Sequence, residues 1–402
     1  MKILVLAQYY PPDLGGSTTR AYNVARGLAE NGVDVTVVTA FPHYPHGEIP
    51  EEYRWKPFTR EYRDGVDVIR TFMVPLESKG VMFRMLTFVI FIFSSLIGLL
   101  LVDGVDAVWA ANKDIFVLLP GLIYKTRFKC PLIFNVDDLS LKTASNLKVM
   151  KEGGFFYRLA EFFTSFLYRF VDAVTPISPG YFDSISRFGV APEDIYLVRS
   201  GVNLDIFKEK SISGPVFRVA YSGSFSIAYD FEQVVRAAEL LSCCEIEFIL
   251  QGKGETVDGI KQLIRERCLS NVRVLDCILS REEVADFLGA ADVLLLPLKD
   301  FGVPYLGISS KLYEYQALGK PIICCSHGSS ADLVRDTGSG LIVAPGDHIG
   351  LAEAVRFLHD NPLEAERMGR SGRDYVERHV GVERIGVEMK QVLEQVIAEV
   401  AA

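Results

Sequence analysis

Short apolar runs alternate with longer stretches whose apolar positions recur at helical spacing along almost the whole chain. Ile3-Leu4-Val5-Leu6 reads as the centre of a strand over Lys2–Ala7, followed by a helix over Thr19–Asn31 that stops at Gly32 and a strand over Asp34–Thr39. This order is a βαβ unit, because parallel neighbours need a crossover between them. Further strands are predicted at Ala107–Trp109, Pro131–Asn135, Asp172–Pro176 and Ile195–Val198, with a helix from about Ser178. The alternation restarts at Val216–Ser222 and runs through Phe231–Leu241, Ile246–Leu250, Ile260–Arg267, Val272–Leu275, Arg281–Ala290, Val293–Leu296, Lys311–Leu318 and Ile322–Cys325. The fold class is therefore α/β, with two doubly wound parallel sheets. The polar linker Lys208–Pro215 sets the expected boundary, giving domains over residues 1–207 and 208–381. Helices near Leu351–His359 and Leu363–Arg378 precede a last helix, Val382–Val400, within residues 382–402, whose Ile385, Met389, Val392, Val396 and Val400 form one apolar stripe.

Two segments break the amphipathic pattern. Met85–Val102 is an uncharged apolar run, long enough on length alone to span a membrane. A single crossing would put strands of one sheet on opposite sides of the bilayer, which argues against it. Residues 81–102 then form either a helix buried in the first domain or one that lies in a membrane surface. Residues 155–171, reading FFYRLAEFFTSFLYRFV, favour the surface reading: Phe155, Phe156, Tyr157, Phe162, Phe163, Phe166, Tyr168 and Phe170 exceed what one core-facing stripe requires. Arg158 and Arg169 are placed to pair with lipid phosphates. The expectation is monotopic attachment to a membrane.

Apolar residues make up 49% of the 402 and charged residues 23%, enough for two packed cores and far from a disordered composition. Of the net charge of −9, residues up to 205 carry −1 and the rest −8. The acidic second half argues against nucleic acid, while the near-neutral first half is compatible with an anionic membrane. The seven cysteines include no CxxC pair and read as reduced thiols. Met1-Lys2 runs directly into a strand, so no signal peptide is expected and the location inferred is the cytoplasmic side.

Candidate chemistry concentrates in Gly302–Ile323, GVPYLGISSKLYEYQALGKPII. Ser309 and Ser310 are expected N-caps of a helix ended by Gly319 and Pro321. The N–H groups of a helix start attract anions, Gly307 permits close approach, Lys311 adds positive charge, and Glu314 lies one turn in, within reach of sugar hydroxyls. Gly15-Gly16 follows the first strand at the end where open parallel sheets bind ligands. The loop FPHYPHGE offers His43 and His46 as weak acceptor-site candidates, and Asp137-Asp138 ends the strand Pro131–Asn135. Asp138 is a candidate for binding a sugar hydroxyl or helping remove a proton, or else a helix cap. No GxGxxG, Walker loop, zinc spacing, GxSxG elbow or DxD occurs, so neither a dinucleotide nor a bridging metal is expected.

The stretch SKLYEYQALGKPII resembles the signature of retaining glycosyltransferases of family 4, which have the GT-B fold, and Glu314 falls on the glutamate that binds the nucleotide ribose in that family. The junction Ser200–Phe207 also resembles that family, while Leu306 in place of its second glutamate and the loops at FPHYP and Val136–Leu139 resemble a subgroup of N-acetylaminosugar transferases of bacterial surface polysaccharide assembly. The resemblance implies two Rossmann-like domains facing a cleft, with the last helix returning to the first. It implies a UDP-sugar donor held by Gly15, Gly16, Gly223, Lys253, Gly254, Cys277, Ile278, Gly307, Ser310, Lys311, Leu312 and Glu314. Cys277-Ile278 takes the place where backbone reads the base. The acceptor, a polyprenyl-linked sugar in the membrane, would meet His43, His46, Asp137 and Asp138, and catalysis would rest on Asp138, Lys311 and Glu314 without a metal. Leu306, Ser224 and Tyr229 stand where many members have a glutamate, an arginine and a lysine, and the tryptophan after the Asp138 motif is absent. A sugar nucleotide epimerase and a silent membrane-bound scaffold are the alternative readings.

Overall fold

Every residue of β1 (Lys2–Leu6) after Lys2 is fully buried, as expected of a strand covered on both faces. The computed structural model describes the chain except residues 45–46, 75–80, 112–114, 140, 143–144, 146–149, 210–215, 303–304 and 402, and the side chains of 81–85. After β1 come α1 (Gly16–Glu30), β2 (Asp34–Ala40), β3 (Phe58–Arg63), β4 (Val66–Thr71), α2 (Val81–Leu99), β5 (Ala107–Ala110), α3 (Leu118–Phe128), β6 (Leu132–Val136), α4 (Phe155–Tyr168), β7 (Ala173–Pro176) and α5 (Phe182–Arg187). The sheet runs β3-β4-β2-β1-β5-β6-β7, parallel except for β3 against β4. Ile3 pairs with Val35 on one side and Ala107 on the other, so the strand order reverses at β1.

Two differences from the sequence reading have physical causes. The β3-β4 hairpin turns at Asp64-Gly65, with φ of 49° and 81°, a turn only such residues take readily. The expected strand Ile195–Val198 forms only an isolated bridge to Val174, although Tyr196 and Val198 donate to the carbonyls of Val174 and Pro176. Pro176 at the end of β7 has no N–H to return, which stops the ladder.

The second unit contains β8 (Phe217–Ser222), α6 (Phe231–Leu240), β9 (Ile246–Gln251), α7 (Val257–Glu266), β10 (Val272–Leu275), α8 (Arg281–Gly289), β11 (Val293–Pro297), α9 (Ser310–Ala317), β12 (Ile322–Cys325), α10 (Ser329–Thr337), β13 (Gly340–Val343), α11 (His348–Asp360) and α12 (Pro362–His379). Its sheet, β10-β9-β8-β11-β12-β13, is wholly parallel. The order reverses between β8 and β11, the place where such sheets take ligands. The units are Met1–Gly201 with Val382–Ala402, and Val202–Gly381. Their division precedes the linker because Val202 donates to Val380 O at 2.9 Å and Phe207 is buried in the second unit's core.

The last helix, α13 (Val382–Ala401), packs on α1 within the first unit. The two backbones touch at Gly27 and Gly386, where a Cβ on either would collide with the other helix. Gly386→Leu is therefore expected to destabilise the first unit by about 3 kcal/mol or more. The check is the first unit's unfolding transition in urea.

The apolar segments have two faces. On α2, Phe91, Ser94, Ser95 and Leu99 are buried, while Phe93 (67% exposed) and Ile97 face outward. On α4 only Leu167 and Tyr168 are buried; Phe155 is 75% and Phe162 64% exposed. Among the described residues no helix is long and apolar enough to cross a membrane.

Candidate functional site

In the second unit, the turns after β8 and β9 lie backbone against backbone. A side chain on Gly252 would strike the Gly223 carbonyl, and one on Gly254 the Phe225 carbonyl. Phe225 N–H donates to Lys253 O at 2.8 Å, while the Lys253 side chain is exposed. Gly223, at φ 147°, leaves open a slot that the Lys311 ammonium enters from α9. Lys311 Nζ is 5.6 Å from the centre of the Tyr221 ring, whose hydroxyl donates to Ser224 O at 2.7 Å. Among the described residues no carboxylate pairs with Lys311. Around Ser224 and Tyr229, where the resembled family has two cations, Tyr221 meets Phe225 and Tyr229 edge-on and Phe225 stacks on Phe231. Burial, with Tyr229 beside it, pushes the Tyr221 phenol well above its ordinary range, so it stays a neutral donor.

The start of α9 differs from the expected capping. Ser309 is the N-cap residue, but its hydroxyl caps nothing; its N–H donates to Ser330 Oγ at 3.2 Å, and that hydroxyl donates to Gly307 O at 3.0 Å. The first N–H groups of the helix, at Ser310 and Lys311, therefore have no side-chain cap and remain available to an anion. Leu312, another expected donor contact, has its side chain fully buried in the core, and its N–H donates to Ser309 O at 3.0 Å. Glu314 is only 8% exposed, and Arg281 Nη1 donates to its Oε1 at 2.8 Å. Ser222 Oγ donates to Gln251 Oε1 at 2.6 Å, and Gln251 Nε2 donates to Cys277 O at 2.7 Å. Cys277 N–H is bonded to Leu275 O, so of the pair expected to read a base, Ile278 has both main-chain groups open among the described residues.

The first unit gathers polar atoms at the carboxyl ends of β1, β2 and β6. Gly15, at φ 128°, is the uncapped N-cap position of α1, and Gly16 begins the helix. Asp13 is 3% exposed; its Oδ1 accepts from the N–H groups of His43 and Tyr44, both at 2.8 Å, and its Oδ2 is buried without a partner among the described residues. Burial raises the Asp13 pKa against the pull of His43 and those two N–H bonds. His43 stacks on Tyr9 at 5.2 Å and places Nδ1 2.8 Å from Phe41 O. A carbonyl only accepts, so Nδ1 carries the proton and the buried, unpartnered Nε2 is an acceptor in the neutral ring. Gln8, fully buried, leaves both amide atoms unpartnered among the described residues. At the end of β6, Asn135 joins Arg20 Nε at 3.1 Å to Asp137 Oδ1 at 2.7 Å, and Asp137 Oδ2 is buried and unpartnered among the described residues. Asp138 is half-buried beside it, and His46 lies outside the described residues.

Asp13→Asn tests the buried acid. The folded-state pKa is raised, so this carboxyl favours the fold when protonated and loses that contribution as pH rises from the ordinary aspartate range through the folded value. The substitution should raise the first unit's unfolding temperature at pH 8, with a smaller gain at pH 4. Thermal unfolding at the two pH values is the check.

Gln8, Asp13, Arg20 and Arg281 are the functional candidates that sequence reading missed. Asp13 had one local signal, an acid placed before paired glycines. The others had none: the partners of Arg20 and Arg281 lie far away in the chain, and Gln8 has no side-chain partner among the described residues.

A family model for group 1 glycosyl transferases matches residues 203–375, and one for glycosyl transferase 4-like domains matches residues 15–201. The MMP alpha-(1->4)-mannosyltransferase of Mycolicibacterium hassiacum is 27% identical over 58% of this chain, and the match spans only 56% of that protein. Glycogen synthase of Mycobacterium tuberculosis is 25% identical over 93% of this chain and 89% of its own. Among solved structures, sucrose-phosphate synthase of Thermosynechococcus elongatus superposes with a TM-score of 0.79 at 20% identity, covering 99% of this chain and 100% of that one. Anabaena HepE, in complex with UDP and glucose, gives 0.68 at 16% identity over 98% and 99%. With both family models matched, one on each unit, the chain belongs to the GT-B glycosyltransferases, its second unit of group 1 and its first of the 4-like type.

Proposed function

We propose that the chain transfers a sugar, an N-acetylated hexosamine, from a UDP-sugar to a lipid-linked acceptor at a membrane surface, with retention at the anomeric carbon. The observation that carries this reading is the start of α9: uncapped N–H groups, the Lys311 ammonium in the slot over Gly223, and Glu314 buried one turn inside. A diphosphate placed there meets both N–H dipoles and a cation, and these stabilise the negative charge that grows as the sugar–phosphate bond breaks. UDP is the nucleotide named because solved structures of the same fold, those of Anabaena HepE, hold UDP, UDP with glucose, and UDP-glucose. Glu314 accepts from the ribose 2′-hydroxyl, and the open main chain of Ile278 meets the base.

The first unit holds the acceptor. Buried polar atoms without partners among the described residues, at Gln8, Asp13, His43 and Asp137, suit a ligand rich in hydroxyls, because leaving them unpaired is costly. In this reading Asp138 orients the attacking hydroxyl. The oxygen of the departing diphosphate accepts that hydroxyl's proton as the new bond forms on the face the leaving group vacates, which retains configuration. No protein nucleophile and no metal enters this scheme. Outward apolar faces on α2 and α4 support attachment to the cytoplasmic face of a membrane without spanning it, and favour a transferase with a lipid acceptor over an epimerase. The test is UDP-[14C]N-acetylglucosamine with vesicles containing a polyprenyl diphosphate-linked sugar. Label should move into the organic phase in an α linkage by NMR coupling; a β linkage, or label entering only free UDP-sugar epimers, overturns the reading.

A further inference from the structure

We infer that Arg281 is a positioning residue that fixes the Glu314 carboxylate for the ribose, and thereby sets the discrimination between ribo- and deoxyribonucleotides. This rests on the nucleotide-binding reading of the second unit given above. Glu314 is 8% exposed and one turn inside α9, so its charge and its orientation both need a partner. Arg281 supplies it from 33 residues away, through Nη1 to Oε1 at 2.8 Å. Among the described residues only Oε1 is engaged, which leaves Oε2 for a hydroxyl.

Arg281 is itself held from two directions. Its guanidinium lies over the Phe207 ring, Cζ 4.9 Å from the centre, and Phe207 is fully buried with its carbonyl accepting from Arg373 Nη1 at 2.9 Å. Below it, Ser280 and Glu283 close a capping box, with Glu283 N–H to Ser280 Oγ at 3.2 Å and Ser280 N–H to Glu283 Oε2 at 2.8 Å. The first turn of α8 is thus anchored where Arg281 leaves it. A planar fork held this way sets the plane of the carboxylate it grips, which a flexible ammonium does less well.

The experiment is calorimetric titration of UDP and 2′-deoxy-UDP into wild type, Arg281→Met and Arg281→Lys. Wild type should bind UDP about tenfold tighter than 2′-deoxy-UDP, the worth of one hydrogen bond to a charged group. Arg281→Met should reduce that ratio to about one to two while leaving 2′-deoxy-UDP affinity within about twofold, and Arg281→Lys should restore part of it. Equal weakening of both ligands, or a full ratio retained in Arg281→Met, overturns the positioning role. No discrimination by wild type overturns the ribose reading at Glu314 itself. If Arg281→Met lacks the native circular dichroism spectrum, Arg281→Gln takes its place under the same criteria.

Discussion

Replacing Lys311 by methionine should lower sugar transfer, as kcat/KM, by about a hundred- to a thousandfold, the usual cost of removing one preorganised charge from a transition state. The side chain is half-buried, keeps its length in the variant, and pairs with no carboxylate among the described residues, so little stability depends on its charge. The unfolding temperature should therefore stay within about 2 °C of wild type. Lys311→Arg should not rescue activity. The ammonium occupies a slot that a single methyl group on Gly223 would already invade, and a guanidinium is larger. The same geometry makes Gly223→Ala a second route to the defect, since the new Cβ displaces the ammonium. Steady-state kinetics on the three variants check this. Activity restored by arginine would show that charge alone, rather than charge in that slot, is what matters.

Membrane attachment is the second large effect. Phe155, Phe156, Phe162 and Phe163 are all at least half exposed on α4, and each ring transferred out of water contributes about 1.5 to 3 kcal/mol when fully buried. Exchanging all four for serine should weaken binding to vesicles of anionic phospholipid by at least about a hundredfold, even if each ring inserts only in part. Because the core-facing residues Leu167 and Tyr168 are untouched, far-ultraviolet circular dichroism and nucleotide binding should not change. Co-sedimentation with vesicles reads the effect; unchanged sedimentation would assign these aromatics to some role other than lipid contact.

What the sequence made legible follows from the range of the interactions. Strands such as β1, β5, β6, β8, β11 and β12 are local apolar runs and could be read, whereas β13, only partly buried, could not; Gly307, Lys311 and Glu314 stood out as candidates because they lie within a few residues of each other. The β3-β4 hairpin was also legible, in the Asp64-Gly65 turn, but its strands are polar at many positions and were passed over. Ser309 takes the N-cap position its sequence suggests, while the absence of a bond from its hydroxyl and the hold of the distant Ser330 on its N–H need the structure. Arg281 on Glu314 and Asp13 on the His43 loop are contacts over 33 and 30 residues, and no periodicity announces them. The aromatic excess of residues 155–171 was visible, whereas the fact that Tyr168 alone of its aromatics turns inward beside Phe134 needed the structure.

Binding of the diphosphate and ribose of a nucleotide sugar at the start of α9 is read by calorimetric titration of UDP, GDP, ADP and their sugars into wild type and Glu314→Ala. UDP and one UDP-sugar should bind wild type in preference to the others, and Glu314→Ala should weaken both by about tenfold or more. Binding that is equally strong in Glu314→Ala, or no binding of any nucleotide to wild type, would contradict a nucleotide site there.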